Sequence, residues 1–132
     1  MKNNWSDSTA EEFIKKYEKE GFSPDLALRV YTSRLLGQEP KLVIHGGGNT
    51  SVKTNLQIHG ENTEVLCVKG SGWDLGNIEP AGLPAVKINP LRNLISLEKL
   101  SDEDMVNTQR ANLLDSSAPN PSVETLLHAF LP

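Results

Sequence analysis

Cysteine is almost missing from this chain. A single one, Cys67, stands among 132 residues, so no internal disulfide can form, and a cytoplasmic location is the natural expectation. Aromatic residues amount to 5% and hydrophobic residues to 37%, enough for a modest core. Positive charge is scarce and scattered. The net charge is −4 and no basic cluster occurs, which argues against a nucleic-acid partner. No apolar run approaches membrane-spanning length, and the start, "MKNNWSDSTAEEF", lacks the apolar core of a signal peptide, so no membrane association is expected. Repeats, low-complexity tracts and linkers are also absent. A chain of this length holds one domain, residues 1–132. Cys67 itself lies in the apolar stretch "VLCVK" and reads as a small buried hydrophobe rather than a reactive thiol.

What is present organises into helices around a β region. "SDSTAEEFIKKYEKEG" reads as a helix with Phe13, Ile14 and Tyr17 on one face and Gly21 as its stop. "SPDLALRVYTSRLLG" reads as a second, with Ser23 as N-cap, Pro24 at the first position and Gly37 just past the end. Its buried stripe is Leu26, Ala27, Val30, Tyr31 and Leu35. "KLVIH" is expected to be a short strand. "SVKTNLQI" alternates, with Val52, Leu56 and Ile58 on one side. "HGEN" connects it tightly to the apolar strand "TEVLCVK". Leu42 to Lys69 is therefore expected to be an antiparallel meander, with "AVKIN" a further short strand. "SDEDMVNTQRANLL" is a helix capped by Ser101, its acids at the positive end. "PSVETLLHAFLP" opens a last helix at Pro121. Helices flanking such a sheet make an α/β sandwich-type domain.

Three short motifs carry the chemistry. In "KLVIHGGGNTSVK" three glycines sit where a strand should end. Glycine takes positive φ freely but costs ordering entropy, so three together suggest that something must approach the backbone closely. Successive N–H groups in such loops form anion-binding concavities, and Asn49, Thr50 and Ser51 add short polar side chains. "KGSGWD" offers a second loop, with Lys69, Gly70, Ser71 and Gly72. "NPSVE" leads into a helix start, where free N–H groups favour anions. Glu124 and His128, four apart, share one helical face. They read either as a surface contact or as a general base with a raised pKa beside an anion pocket. "HGGG" lacks the nucleophile elbow an esterase would need, because Lys69 and Trp73 replace its outer glycines. "GGGNTS" is not followed by the Lys of a phosphate-binding P-loop. His45 and His59 have no metal-ligand partners nearby in sequence and read as structural.

"LVIHGGGNTSVK", "VKGSGWDL" and "NPSVETLLHAFLP" together resemble the class II aldolase/adducin family. The resemblance is nearest to the aldolase part of bifunctional rhamnulose-1-phosphate aldolase/short-chain alcohol dehydrogenases, and it runs from about Pro24 to the end. It implies a three-layer α/β/α fold with a central, mostly antiparallel sheet, and a homotetramer with active sites between subunits. It also implies zinc-dependent cleavage of a ketose phosphate to dihydroxyacetone phosphate and an aldehyde through an enediolate, in carbohydrate metabolism. By that resemblance Gly48, Asn49, Ser51, Gly70, Ser71, Gly72 and Ser122 hold the substrate phosphate, and Glu124 is the catalytic acid/base. Zinc would act as a Lewis acid.

Two features depart from the family pattern. Val123 replaces a second serine, which removes one hydroxyl contact to phosphate. The zinc-binding histidines of the family lie beyond Pro132. The chain is therefore expected to be an N-terminal portion, with its sheet incomplete at the C-terminus, no metal ligands of its own and no activity alone. An epimerase or dehydratase of the same fold, or a non-catalytic adducin-like assembly module, are the alternatives.

Overall fold

A computed structural model describes residues 1–132. Helices α1 (Asp7–Glu18) and α2 (Pro24–Gly37) come first along the chain, and their ends follow from the sequence. The Ser6 hydroxyl accepts the Thr9 N–H at 3.3 Å, and the Ser23 hydroxyl accepts the Leu26 N–H at 3.3 Å, each satisfying a donor the first helical turn leaves open. Pro24 occupies the first turn of α2. Gly21, at φ +89°, takes the left-handed conformation that lets the chain leave α1. Tyr17, Leu26, Ala27, Val30 and Tyr31 are buried as the pattern requires, whereas Leu35 is only half-buried and Ser33 takes a fully buried place instead.

Gly37 corrects the expectation. It is the last residue of α2, not a residue past it. A Cβ there would lie 2.2 Å from the Gly76 backbone nitrogen. Close approach of α2 to the 3-10 turn Leu75–Asn77, rather than a special φ, is what requires glycine.

The sheet has three antiparallel strands in the order β1-β2-β3: β1 is Ser51–Ile58, β2 is Glu61–Val68 and β3 is Ala85–Lys87. A two-residue turn joins β1 to β2, with His59 at φ 51° and Gly60 at φ 79°. Two positive φ values make this the mirror-image hairpin turn whose twist matches that of the strands. It fixes the register from Ile58 opposite Glu61 to Ser51 opposite Val68.

The expected strand over Lys41–His45 does not form. The N–H groups of Leu42 and Val43 donate to the Glu39 carbonyl at 2.9 and 3.1 Å, and that of Gly47 to the Ile44 carbonyl at 2.8 Å. Three apolar residues between Pro40 and the glycines are too few to gain a partner strand against turns that already satisfy the backbone. Ile44 is 84% exposed as a result. The expected meander is thus a hairpin that starts at Ser51, and the outer edge of β1 is unpaired.

β2 is buried on both faces, as a continuously apolar central strand should be. Val65 and Cys67 join Tyr17, Leu26, Ala27, Val30, Leu75, Ile78 and Leu83 on one side. Leu66 and Val68 join Val86, Ile88, Leu91 and Ala129 on the other. Each such side chain fully removed from water stabilises the fold by about 1.5–3 kcal/mol. The first cluster is roofed by α1 and α2, and the second by α3 (Ile88–Arg92) and α5 (Thr125–Phe130). Helices therefore lie on both faces of an antiparallel sheet, which is the α/β/α arrangement expected. Between β3 and α5, α4 (Asp102–Ala111) is capped by Ser101, whose hydroxyl accepts the Asp104 N–H at 3.1 Å. No helix is long and apolar enough to cross a membrane.

Candidate active site

The hairpin register decides where the motifs meet. Because Ser51 lies opposite Val68, the glycine loop entering β1 and the Gly-Ser-Gly loop leaving β2 stand at the same end of the sheet. Lys69 is the pivot between all three motifs. Its N–H donates to the Thr50 carbonyl at 3.0 Å, and its carbonyl accepts the Ser122 N–H at 3.1 Å. Beside it, Gly70 pairs with Pro121, and the Ser71 N–H donates to the Asn120 carbonyl at 2.8 Å. A Cβ on Gly70 would meet Pro119 Cγ at 2.8 Å, so glycine permits this crossing.

Side chains then close the group. Asn49 Nδ2 reaches Glu124 Oε2 at 3.5 Å, and the Ser122 hydroxyl donates to the same carboxylate oxygen. The Ser51 hydroxyl and His128 Nδ1 share a hydrogen bond of 2.8 Å. Of the residues expected at the site, Asn49, Ser51, Ser122 and Glu124 are thus gathered around the Lys69 backbone, with Gly48 and Gly72 in the adjoining loops. Ser71 stands apart: it borders a separate small recess with Met105, Gln109 and Arg110.

The backbone donors differ from the expected cradle. The N–H groups of Gly47, Gly70 and Ser71 are spent on the carbonyls of Ile44, Gly82 and Asn120. Those of Gly48, Asn49 and Gly72 donate to no carbonyl of the chain. Gly48 and Gly72 have φ +76° and +86°, the left-handed region that makes such concavities.

The last helix also starts later than expected. Pro121 pairs with Gly70, which draws residues 120–122 out straight, and α5 begins only at Thr125. Ser122 therefore sits before the helix, and Glu124 is its N-cap residue. Leu126 and Phe130 pack on the second cluster, while Val123, Leu127 and Leu131 are exposed.

For Glu124 the raised-pKa reading does not hold. Its carboxyl is held below the usual range, not above it. The Ser122 hydroxyl is the main cause, followed by the Glu124 N–H, and the nearby His128 and Lys69 charges add to them. An exposed carboxylate bonded to donors keeps its charge. His128 is shifted down too, first by burial, then by the Lys53 and Arg29 charges, with Glu124 pulling the other way. The neutral imidazole is favoured.

Sequence reasoning missed Arg29. Asp25, Arg29 and Ser33 recur every four residues along α2, a polar stripe beside the apolar one, and that spacing was a signal. The stripe faces β1. The Thr54 hydroxyl donates to Asp25 at 2.8 Å, and Ser33 shares a 2.7 Å hydrogen bond with Thr50. Arg29 lies near His128, and its Nε is buried without a partner, as is Asn49 Oδ1.

These residues do not fit a zinc centre. No three His, Cys, Asp or Glu side chains converge anywhere in the chain. His128 Nδ1 is taken by Ser51, and Glu124 has Ser122 and Asn49 as its neighbours. A catalytic zinc needs three protein ligands.

An α/β/α domain that clamps two glycine loops to a Ser-Val-Glu segment defines a class, and comparison with known proteins agrees. The chain belongs to the Class II Aldolase and Adducin N-terminal domain family, which it matches over residues 27–131. It is 43% identical over 104 residues to the "Uncharacterized oxidoreductase YuxG" of Bacillus subtilis (strain 168), a match covering 78% of this chain and 15% of that protein. It is also similar, at a TM-score of 0.83 and 40% identity, to the solved N-terminal class II aldolase domain of a conserved protein from Thermoplasma acidophilum. That match takes in 100% of this chain and 56% of the other.

Proposed function

We propose that this domain holds a ketose phosphate of the rhamnulose 1-phosphate type, within an aldolase that cleaves it to dihydroxyacetone phosphate and an aldehyde. One observation carries the reading: the Lys69 backbone ties the Asn49 and Ser51 loop to the Ser122 and Glu124 segment. Open N–H groups at Gly48, Asn49 and Gly72 then suit a dianion, Lys69 supplies the charge, and the Ser51 and Ser122 hydroxyls join by turning from His128 and Glu124 to the phosphate. Asn49 adds an amide donor.

Cleavage leaves an electron pair on the carbon beside the carbonyl of dihydroxyacetone phosphate, and that carbon must take up a proton. Glu124, at the edge of the group, is the residue we propose exchanges it. In the reverse, condensing direction the carboxylate removes the proton, and its lowered pKa ensures that it starts ionised at neutral pH. The donor set holds no zinc, and no step above passes through a metal. Assembly into a homotetramer is proposed with this function; the exposed Val123, Leu127 and Leu131 suit burial between copies.

Calorimetric titration with dihydroxyacetone phosphate and with dihydroxyacetone tests the reading. The phosphorylated compound should bind and the other should not, and Asn49→Ala should weaken binding roughly tenfold, the loss expected of a charge-assisted hydrogen bond. Equal behaviour of the two compounds would sink the phosphate assignment and favour an adducin-like assembly module.

A further inference from the structure

Helix α4 closes a small recess of about 140 Å³ against Ser71 and the stretch from Asn120 to Val123. A water molecule's share of liquid volume is about 30 Å³, so the recess has room for a group of a few heavy atoms. Its polar lining is Ser71, Gln109, Arg110 and Asn120; the rest is apolar, and no carboxylate borders it.

Gln109 is the unexpected residue. It is 3% exposed, and its Nε2 is buried without a partner. An amide that has given up water and gained no hydrogen bond is costly to keep, and an apolar side chain would fill the place without that cost. Arg110 follows it at the rim and is exposed. Its Nη1 donates to Asn120 Oδ1, which engages one of the five N–H donors a guanidinium carries. A cation in the last turn of a helix is ordinary, but that does not account for the orphaned amide beside it. Gln109 Nε2, the guanidinium and the Ser71 hydroxyl can all donate. Such a set suits an oxyanion.

The recess is joined to the clamp through its backbone. The Ser71 N–H donates to the Asn120 carbonyl at 2.8 Å, and Gly70 pairs with Pro121. Gly72, the residue after Ser71, carries one of the N–H groups that donate to no carbonyl. Val123 borders the same recess between Ser122 and Glu124, and its side chain has no hydrogen bond to offer.

We infer that this recess receives the outer oxygens of the substrate phosphate, and that Arg110 and Gln109, which belong to none of the three motifs, are phosphate-binding residues. The inference rests on the phosphate reading above. The phosphate lies over the Gly72 N–H, with Asn49 and Ser122 on one side and Ser71, Gln109 and Arg110 on the other. Arg110 then adds a second positive charge to that of Lys69, as a dianion needs, and Gln109 gains the partner it lacks.

Calorimetric titration with dihydroxyacetone phosphate tests this on the unaltered chain, Arg110→Ala, Arg110→Lys, Gln109→Leu and Asn49→Ala. Arg110 is exposed, so its loss leaves the fold intact, and a thermal melt checks this. Arg110→Ala should weaken binding roughly tenfold, the size of one hydrogen bond to a charged partner. Arg110→Lys should recover part of the loss, because it keeps the charge but not the planar fork. Added salt should weaken the unaltered chain more than Arg110→Ala, which a merely structural role for Arg110 would not produce. Gln109→Leu should weaken binding severalfold while the melting midpoint holds or rises, since it removes the orphaned amide. If Asn49→Ala weakens binding but Arg110→Ala and Gln109→Leu bind as tightly as the unaltered chain, the recess assignment is overturned and the phosphate reading stands. If dihydroxyacetone phosphate does not bind the unaltered chain, both fall.

Discussion

The two faces of β2 are built differently. One is covered by helices of 12 and 14 residues, each closed by a serine cap, over nine buried side chains. The other is covered by helices of five and six residues without side-chain caps, over six. Asn49, Ser51, Lys69, Ser122 and Glu124, gathered at the clamp, hang from the second, thinner face or from loops at its end. Short helices rarely stand alone, so α5 depends on Ala129, Leu126 and Phe130 packing against Leu66 and Val68. The face that contributes less apolar burial is the one that positions the chemistry, and the thicker face supplies the stability it lacks.

The sharpest way to break this contrast is to cut the same side chain on each face. Leu66→Ala on the thin face and Leu26→Ala on the thick one should each cost about 2–5 kcal/mol, with Leu26, 8% exposed against 0% for Leu66, nearer the lower end. Denaturant melts measure that. The contrast lies in dihydroxyacetone phosphate affinity per folded molecule, which should fall in Leu66→Ala, where α5 loses its seat, and hold in Leu26→Ala. Equal losses in both would mean that the site depends on the whole core and not on one face.

A smaller effect is expected at the seam between α2 and the turn after β2. Gly37→Ala forces a methyl against the Gly76 backbone, and overpacking of this kind costs about 1–3 kcal/mol. Thermal unfolding should show the loss. An unchanged midpoint would mean that the seam yields freely.

The smallest effect is a pH dependence of the thick face. Tyr17 donates to Glu79 at 2.6 Å and Arg34 bonds it at 2.6 Å. Burial alone would push the Glu79 carboxyl up, but the Tyr17 hydroxyl and the Arg34 charge outweigh it and hold it below its ordinary value of 4.5. A carboxyl lowered in the folded state adds stability above pH 4.5, and that stability is lost as pH falls through the folded value. Stability measured from pH 7 down to 3 should fall, and Glu79→Gln should flatten part of the fall. A variant with the same acid limb would remove Glu79 from the account.

The long capped helices, the alternating strand β1 and the Ser101 cap were legible because each is a local matter of period and end signals. The contents of the clamp were legible as motifs. What failed has different physical causes, local turns in one place and tertiary pairing in another. Lys41–His45 reads as a strand, but no neighbour takes its edge. Pro121 to Glu124 reads as a helix start, but Pro121 pairs with Gly70 and the chain turns at Val123 and Glu124 before α5 begins at Thr125. A Glu124 pKa raised by shelter was one of two readings of its spacing from His128. The pKa falls because the Ser122 hydroxyl, two residues away, turns back onto the carboxylate. Arg29 was overlooked because it belongs to no motif; only its four-residue spacing from Asp25 and Ser33 marked it.

The two-residue turn at His59 and Gly60 has a consequence in time. A hairpin of this size closes in about 1–10 μs, and each of its pairs is between near neighbours in sequence. When the last pair, Ser51 with Val68, clicks into place, the glycine loop and the Lys69 loop already stand side by side. Glu124 must arrive from 75 residues beyond Asn49, a far longer search. During synthesis from the N-terminus the first two walls of the site can therefore stand ready, open to solvent, before Glu124 has been made.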